Sequence, residues 1–174
     1  DTIVCAFTTK VVYQVNYTNR SHYAWQINGG TITSDNDSGK VTVDWGGPGI
    51  ANISCKETSF DSVNNLPCFG SFVRLDVRIA PLPSANAIFG NMDFCESSKL
   101  LFYLTKGNAG STYQWSLDGV TLPQTTDTLS LAFPLAGSYT LSFIETTKDN
   151  CVGLTFDTII IVHPKPTTLP ITGD

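Results

Sequence analysis

One eight-residue stretch occurs twice in this chain: Tyr-Ala-Trp-Gln-Ile-Asn-Gly-Gly at 23–30 and Tyr-Gln-Trp-Ser-Leu-Asp-Gly-Val at 113–120. Around that pair the whole sequence aligns with itself. Cys5 stands 20 residues before Trp25, and Cys95 stands 20 residues before Trp115. Val41-Thr-Val-Asp-Trp45 and residues 53–58 match Leu129-Ser-Leu-Ala-Phe133 and residues 141–146 at a constant offset of 88. Cys68-Phe-Gly70 leads to Pro81 and Cys151-Val-Gly153 leads to Pro164, each over 13 residues. A repeat of this length is a duplicated domain rather than a solenoid unit. It predicts one domain at 1–82 and a second at 83–165, joined across Ala80-Pro-Leu-Pro-Ser84. The Pro-rich stretch 166–174 reads as a linker to a further domain.

The periodicity within each copy is that of strands. Val41-Thr-Val-Asp-Trp45, Leu129-Ser-Leu-Ala-Phe133 and Tyr139-Thr-Leu-Ser-Phe143 alternate apolar with polar, which places one face of each against a core. Val73, Leu75, Val77 and Ile79 share one side of a later strand. Val11, Tyr13, Val15 and Tyr17 share one side of an early strand. Thr158-Ile-Ile-Ile-Val162 is almost continuously apolar and predicts a last strand buried on both faces. Turn formers separate these runs, among them Asn28-Gly-Gly30, Gly46-Gly-Pro-Gly49 and Asp118-Gly119, where Gly and Asn supply positive φ. No stretch has apolar residues at helical spacing. The expected fold class is therefore all-β, two tandem Ig/PKD-like β-sandwich domains. Trp25 and Trp115 are the expected core anchors. Tyr139, after Ala136-Gly-Ser, resembles a tyrosine corner, which the first copy lacks.

Charged residues make up 14% of the chain, and the net charge is −5. That balance gives no basic footprint for nucleic acid. No apolar run approaches the ~18 residues of a membrane span, so no direct membrane insertion is expected. The chain opens at Asp1 without a leader, as expected of a processed or excised piece. Four of its five cysteines obey the repeat: Cys5 with Cys95, and Cys68 with Cys151. Four cysteines allow three pairings, of which the repeat symmetry favours Cys5–Cys68 and Cys95–Cys151. The alternative is four reduced thiols in a cytosolic protein. Cys55 aligns with Phe143 and is expected to face inward as a small hydrophobe.

The motifs Tyr-x-Trp-x-(Ile/Leu)-(Asn/Asp)-Gly, Val-x-Val-x-Trp, Gly-x-x-x-(Ile/Leu)-Ser and the closing Cys-x-Gly resemble tandem PKD-like and Ig-like domains of Bacteroidota cell-surface proteins. Such modules accompany gliding motility and type IX secretion. The resemblance implies an exported, extracellular or cell-surface location and a non-catalytic role, as a protein-interaction or spacer module. Its partners would be other surface or outer-membrane proteins. The alternative it leaves open is a carbohydrate-binding adhesin module, with glycan as the partner. Asp-(Ser/Thr)-aliphatic is similar to the O-glycosylation motif of that phylum, which marks Thr2, Ser62, Thr128 and Thr158. Asn16, Asn19, Asn36 and Asn52 begin Asn-x-Ser/Thr and would be acceptors in a eukaryotic host instead.

Chemistry finds little support in the residues. Nucleophilic catalysis needs a base beside the nucleophile, and the two histidines, His22 and His163, are far apart in the repeat frame. Glu57 and Glu145 hold the same position in different copies and cannot form a glycosidase pair. No catalytic residue and no cofactor are expected. Asp35 and Asp37, on the Asp35-Asn-Asp-Ser-Gly39 turn, are the calcium-ligand candidates, although the turn lacks EF-hand spacing. Phe60, Phe69 and Phe89 could stack on sugars or simply pack.

Overall fold

A computed structural model describes residues 2–85 and 87–170. Asp1 of the first Asp-Thr-Ile motif and residues 171–174 of the expected linker lie outside the described residues. The chain divides into two compact units, 1–82 and 83–174.

Unit 1 contains β1 (Ile3–Cys5), β2 (Val11–Gln14), β3 (Ser21–Asn28), β4 (Gly30–Ile32), β5 (Lys40–Trp45), β6 (Gly49–Phe60), β7 (Pro67–Phe69) and β8 (Val73–Ala80). One sheet runs β1-β8-β6-β3, with β7 taking over beside β6 where β8 ends. The other runs β2-β5-β4. The two sheets share a core: Trp25, Ile53, Cys55 and Val77 from one meet Tyr13, Val41, Val43 and Trp45 from the other. Unit 2 contains β9 (Asp93–Cys95), β10 (Ser97–Leu104), β11 (Thr112–Leu117), β12 (Val120–Thr121), β13 (Thr128–Phe133), β14 (Gly137–Thr146) and β15 (Phe156–His163). Its sheets are β12-β11-β14-β15-β9 and β10-β13. Trp115, Leu141, Phe143 and Ile160 meet Tyr103, Leu129 and Phe133 between them.

The repeat is visible in the hydrogen bonds as well as in the strands. Both indoles are buried, and an unpaired indole N–H would be costly there. Trp25 Nε1 donates to the Ser38 carbonyl at 2.7 Å, and Trp115 Nε1 donates to the Thr126 carbonyl at 2.8 Å. The two acceptors are related by the same offset of 88 as the strands that follow them. Tyr139 stacks edge-on against Phe133, with ring centroids 5.0 Å apart, and donates its hydroxyl to the Leu135 carbonyl at 3.0 Å. That is the tyrosine-corner arrangement.

The duplicated octapeptide is nevertheless used in two ways. In unit 2, Asp118 and Gly119 have φ of 49° and 79°, and β12 folds straight back on β11. Positive φ at both central residues is the hairpin-compatible turn. In unit 1, the equivalent β4 leaves β3 and pairs with β5 of the opposite sheet. Gly30 permits this crossing: a Cβ there would come within 2.8 Å of the Asp44 carbonyl oxygen. The second copy has Val120 at that position and stays in the hairpin.

Three expectations are corrected. First, β15 alternates instead of being buried on both faces: Ile160 and Val162 point inward, while Ile159 and Ile161 are exposed. Second, β2 ends at Gln14, so Tyr17 lies in a loop and is exposed. Third, the symmetric disulfides Cys5–Cys68 and Cys95–Cys151 do not form. Cys68 and Cys95 carry free, exposed thiols and Cys55 a free, buried one, whereas Cys5 and Cys151 are disulfide-bonded.

Strand register gives the reason. Cys5 pairs with Ala80, next to Ile79, which lies opposite Gly49, while Cys68 lies opposite Ser59. The two cysteines therefore sit at opposite ends of β6, about 33 Å apart at ~3.3 Å per residue. In unit 2, Cys95 pairs with His163, beside Val162, which lies opposite Gly137. The Cys151 carbonyl meets Thr147, just beyond the other end of β14. Bridging needs Cα atoms within about 7 Å. The parallel first strand produces this result in both copies, because it places its cysteine at the far end of the last strand.

Candidate functional site

The end of each sandwich where β3 or β11 begins gathers the polar chemistry of its unit. In unit 2 the centre is Glu145, which is 1% exposed. Its Oε2 accepts from Ala85 N at 2.8 Å. Its Oε1 accepts from Asn108 N at 2.7 Å and from Ser111 Oγ at 2.6 Å. A carboxylate taken out of water needs such donors. Gly107 leaves it room, since a Cβ there would collide with both the Glu145 carboxyl and the Tyr113 hydroxyl. The loop 105–112 and residues 125–127 border an open cleft of about 680 Å³ at this end. Glu145 thus ties the loop and the first residues of the unit to β14. Sequence reasoning placed it only at the end of a strand and so missed it, although Leu141, Phe143 and Glu145 fall on one face of β14. The signal was its place in the repeat, two residues after the inward Phe143.

The same end of unit 1 is built from equivalent positions with different chemistry. Ser21 stands where Ser111 stands and Arg20 where Gly110 stands, and both turn residues have positive φ, 63° and 79°. Glu57, the equivalent of Glu145, is only half-buried. The loop amide of Thr18 is met by the Tyr23 hydroxyl at 2.8 Å rather than by a carboxylate. Ser21 Oγ is buried with no partner. A cleft of about 540 Å³ opens here between the loop before β3 and the Phe60–Asn65 stretch that the second copy lacks.

The calcium-ligand candidates have structural duties. Asp37 Oδ1 accepts from Tyr23 N at 2.8 Å, and Oδ2 meets His22 Nδ1 at 2.6 Å. Asp35 Oδ1 accepts from Asp37 N at 3.0 Å. His22 first, and the Tyr23 amide second, hold the Asp37 carboxyl below its ordinary range. In unit 2 the Thr125 carbonyl takes the place of Asp37, accepting from Tyr113 N at 2.9 Å. Among the described residues, no three His, Cys, Asp or Glu side chains are placed to hold a metal ion. His163 meets Asp93 at 2.8 Å on the exposed face of β15.

A second feature is confined to unit 1. Val63, Leu66, Phe69, Phe72 and Val73 are all exposed, and Phe69 retains 69% of its accessible surface. The Lys56 ammonium lies 4.8 Å from the Phe69 ring centroid and 5.9 Å from that of Phe72. Phe60, by contrast, is half-buried and packs edge-on against His22, with centroids 5.4 Å apart. Of the four serine and threonine candidates for glycosylation, Thr2, Ser62 and Thr128 are exposed and Thr158 is half-buried. Among the described residues, no helix is long and apolar enough to cross a membrane.

The sequence matches no protein-family model and no curated protein. Similar solved structures include the fibronectin(III)-like modules of CbhA from Clostridium thermocellum, at 10% identity over 99% of this chain and 94% of that one, with a TM-score of 0.43. An I-band fragment of titin is similar at 10% identity over 93% of this chain and 62% of that one, with a TM-score of 0.46. Immunoglobulin domains 1–4 of Sidekick-1 are similar at 15% identity over 94% of this chain and 46% of that one, with a TM-score of 0.46. The chain therefore spans less than two thirds of the titin and Sidekick-1 fragments. At these identities the likeness concerns fold. Each unit is a two-sheet β-sandwich.

Proposed function

We propose that this chain is a non-catalytic segment of an exported, cell-surface protein, which binds a partner protein and spaces a neighbouring domain. The observation that carries the reading is the apolar surface over β7 and the start of β8. Phe69 and Phe72 are both exposed and lie together under the Lys56 ammonium, an apolar pair of the kind that marks interaction sites. Aromatic residues of this kind anchor protein interfaces. The oxidised Cys5 and Cys151 fit an oxidising compartment outside the cytosol. The motif resemblance extends the reading to a Bacteroidota protein exported by type IX secretion and associated with gliding motility, with glycans on Thr2, Ser62, Thr128 or Thr158.

The test is affinity capture from an outer-membrane extract, comparing the native chain with a Phe69→Ser/Phe72→Ser variant. Both side chains are exposed, so the variant keeps its fold by circular dichroism. The expected outcome is a protein retained by the native chain and lost by the variant. Retention of the same proteins by both, or of none by either, counts against the interaction role.

A further inference from the structure

The cleft at the end of unit 1 has features that the duplicated end of unit 2 uses up internally. In unit 2 a carboxylate of the chain itself, that of Glu145, accepts from the serine and the loop amide. In unit 1 the equivalent serine, Ser21, has no partner for its hydroxyl, and the equivalent glutamate makes no such bond. A buried polar group left unpaired calls for a physical account.

Arg20 supplies a second anomaly. It occupies a left-handed turn position, φ 63°, where the second copy has Gly110. A non-glycine residue there is strained, in a conformation that Arg20 shares with Phe7, Lys10, Asn65, Asp118 and Asn150. The Arg20 side chain has no ion-pair partner among the described residues. Around it, the exposed Tyr17 and the half-buried Phe60 offer ring surfaces, and His22 and Asn65 offer polar edges. Asn65 also has positive φ, 51°. Two acidic groups border this set: Asp37, held by His22 and Tyr23 N, and Asp61, next to Phe60, whose Oδ2 accepts from Asn64 N at 2.9 Å.

We infer that this cleft binds a carboxylate-bearing sugar residue, a uronic acid unit of an acidic polysaccharide. The Arg20 guanidinium meets the carboxylate, Tyr17 and Phe60 stack on the C–H faces of the ring, and the Asn65 amide meets its hydroxyls. A single unpaired cation suits one negative charge. A polyphosphate or nucleic acid needs several cations, and the chain carries a net charge of −5. A volume of about 540 Å³ fits one or two sugar rings. The inference does not depend on the protein-interaction reading, which rests on the separate surface over β7.

The experiment titrates the full chain by calorimetry with oligogalacturonides, with their methyl esters and with a hexaglutamate peptide. The decisive variant is Arg20→Gly, which installs the residue of the second copy and relieves the strained turn, so its melting temperature stays level or rises. Saturable binding of the oligogalacturonide is expected, weakened at least about tenfold by methyl esterification and by Arg20→Gly. Tyr17→Ala, at an exposed loop position, is expected to weaken it by a similar factor. Equal binding of ester and acid, undiminished binding by Arg20→Gly, equal binding of the peptide or no saturable binding would each overturn the inference. The Phe69→Ser/Phe72→Ser variant should bind the oligosaccharide normally, so the two functional readings can fail separately.

Discussion

At the scale of single residues, the duplicated chain shows how one position can be neutral in one copy and structural in the other. Glu145 holds two backbone N–H groups and a serine hydroxyl, while Glu57 holds none of the equivalents. Glu145→Ala should destabilise unit 2 by about 3 kcal/mol or more, because three donors are left unpaired in a dry site. Glu57→Ala should stay within about 1 kcal/mol of the native chain. Urea denaturation of both variants checks the contrast, and equal losses would refute it. Tyr103 provides a pH test. Burial pushes its phenol up to about 12, against an unfolded value near 10. Its folded pKa is the higher one, so its contribution is complete below pH ~10 and is lost as pH rises toward ~12. Burial raises Tyr13 and Tyr113 as well, so tyrosinate absorbance should show delayed ionisation of these buried phenols, and Tyr103→Phe should lessen the fall in stability above pH ~10. Asp37 runs the other way. Its depressed carboxyl supports the turn above the ordinary carboxylate range and stops doing so as pH falls through its lowered value. Asp37→Asn should abolish that acid-side shift of the Tyr23 amide in NMR spectra.

At the scale of elements, β6 and β14 are the staves on which each copy is registered. Most of this was legible: the alternation in 41–45, 129–133 and 73–79 gave strands and faces, and the constant offset gave their correspondence. The two uses of the octapeptide were not legible, because they depend on what lies beyond the strand. Gly29 has φ +88°, and a Cβ on it would lie 2.7 Å from Ala51 Cβ. Gly119, with φ +79°, has nothing within 4 Å. Gly119→Ala should cost about 1 kcal/mol from backbone strain alone, and Gly29→Ala about 3 kcal/mol from strain plus overlap. Thermal melts of the two variants separate the contributions, and equal shifts would show that the contact at Ala51 relaxes.

For the whole molecule, thiol accessibility and mass report on compartment and chemistry together. In the native chain, two thiols, Cys68 and Cys95, should react promptly with a water-soluble disulfide reagent. Cys55 is 2% exposed, and its thiol is pushed up first by burial and then by Glu57. It should react only on unfolding, and the remaining two cysteines only after reduction. Four thiols reacting without reduction would contradict the oxidised state of Cys5 and Cys151. Intact mass on protein from its native host should add hexose-sized steps if the exposed Thr2, Ser62 or Thr128 carry glycans, and a bare polypeptide mass would remove that part of the proposal.

The sequence by itself determined the duplication, the all-β class, the inward faces and the two tryptophan anchors, because these follow from local alternation and repetition. Tertiary structure alone decided the cysteine states. Repeat symmetry proposed one bridge within each copy, but the parallel pairing of β1 with β8 and of β9 with β15 carries each first cysteine to the wrong end of its sheet. It also decided the difference between the two sandwich ends. The pairs Ser21/Ser111 and Glu57/Glu145 are the same residues in the same register. Whether a carboxylate serves the loop depends on that loop: Gly107 makes room for Glu145, whereas in the first copy the Tyr23 hydroxyl accepts from the loop amide of Thr18. Contacts between residues distant in sequence carry that information, and no periodicity encodes them.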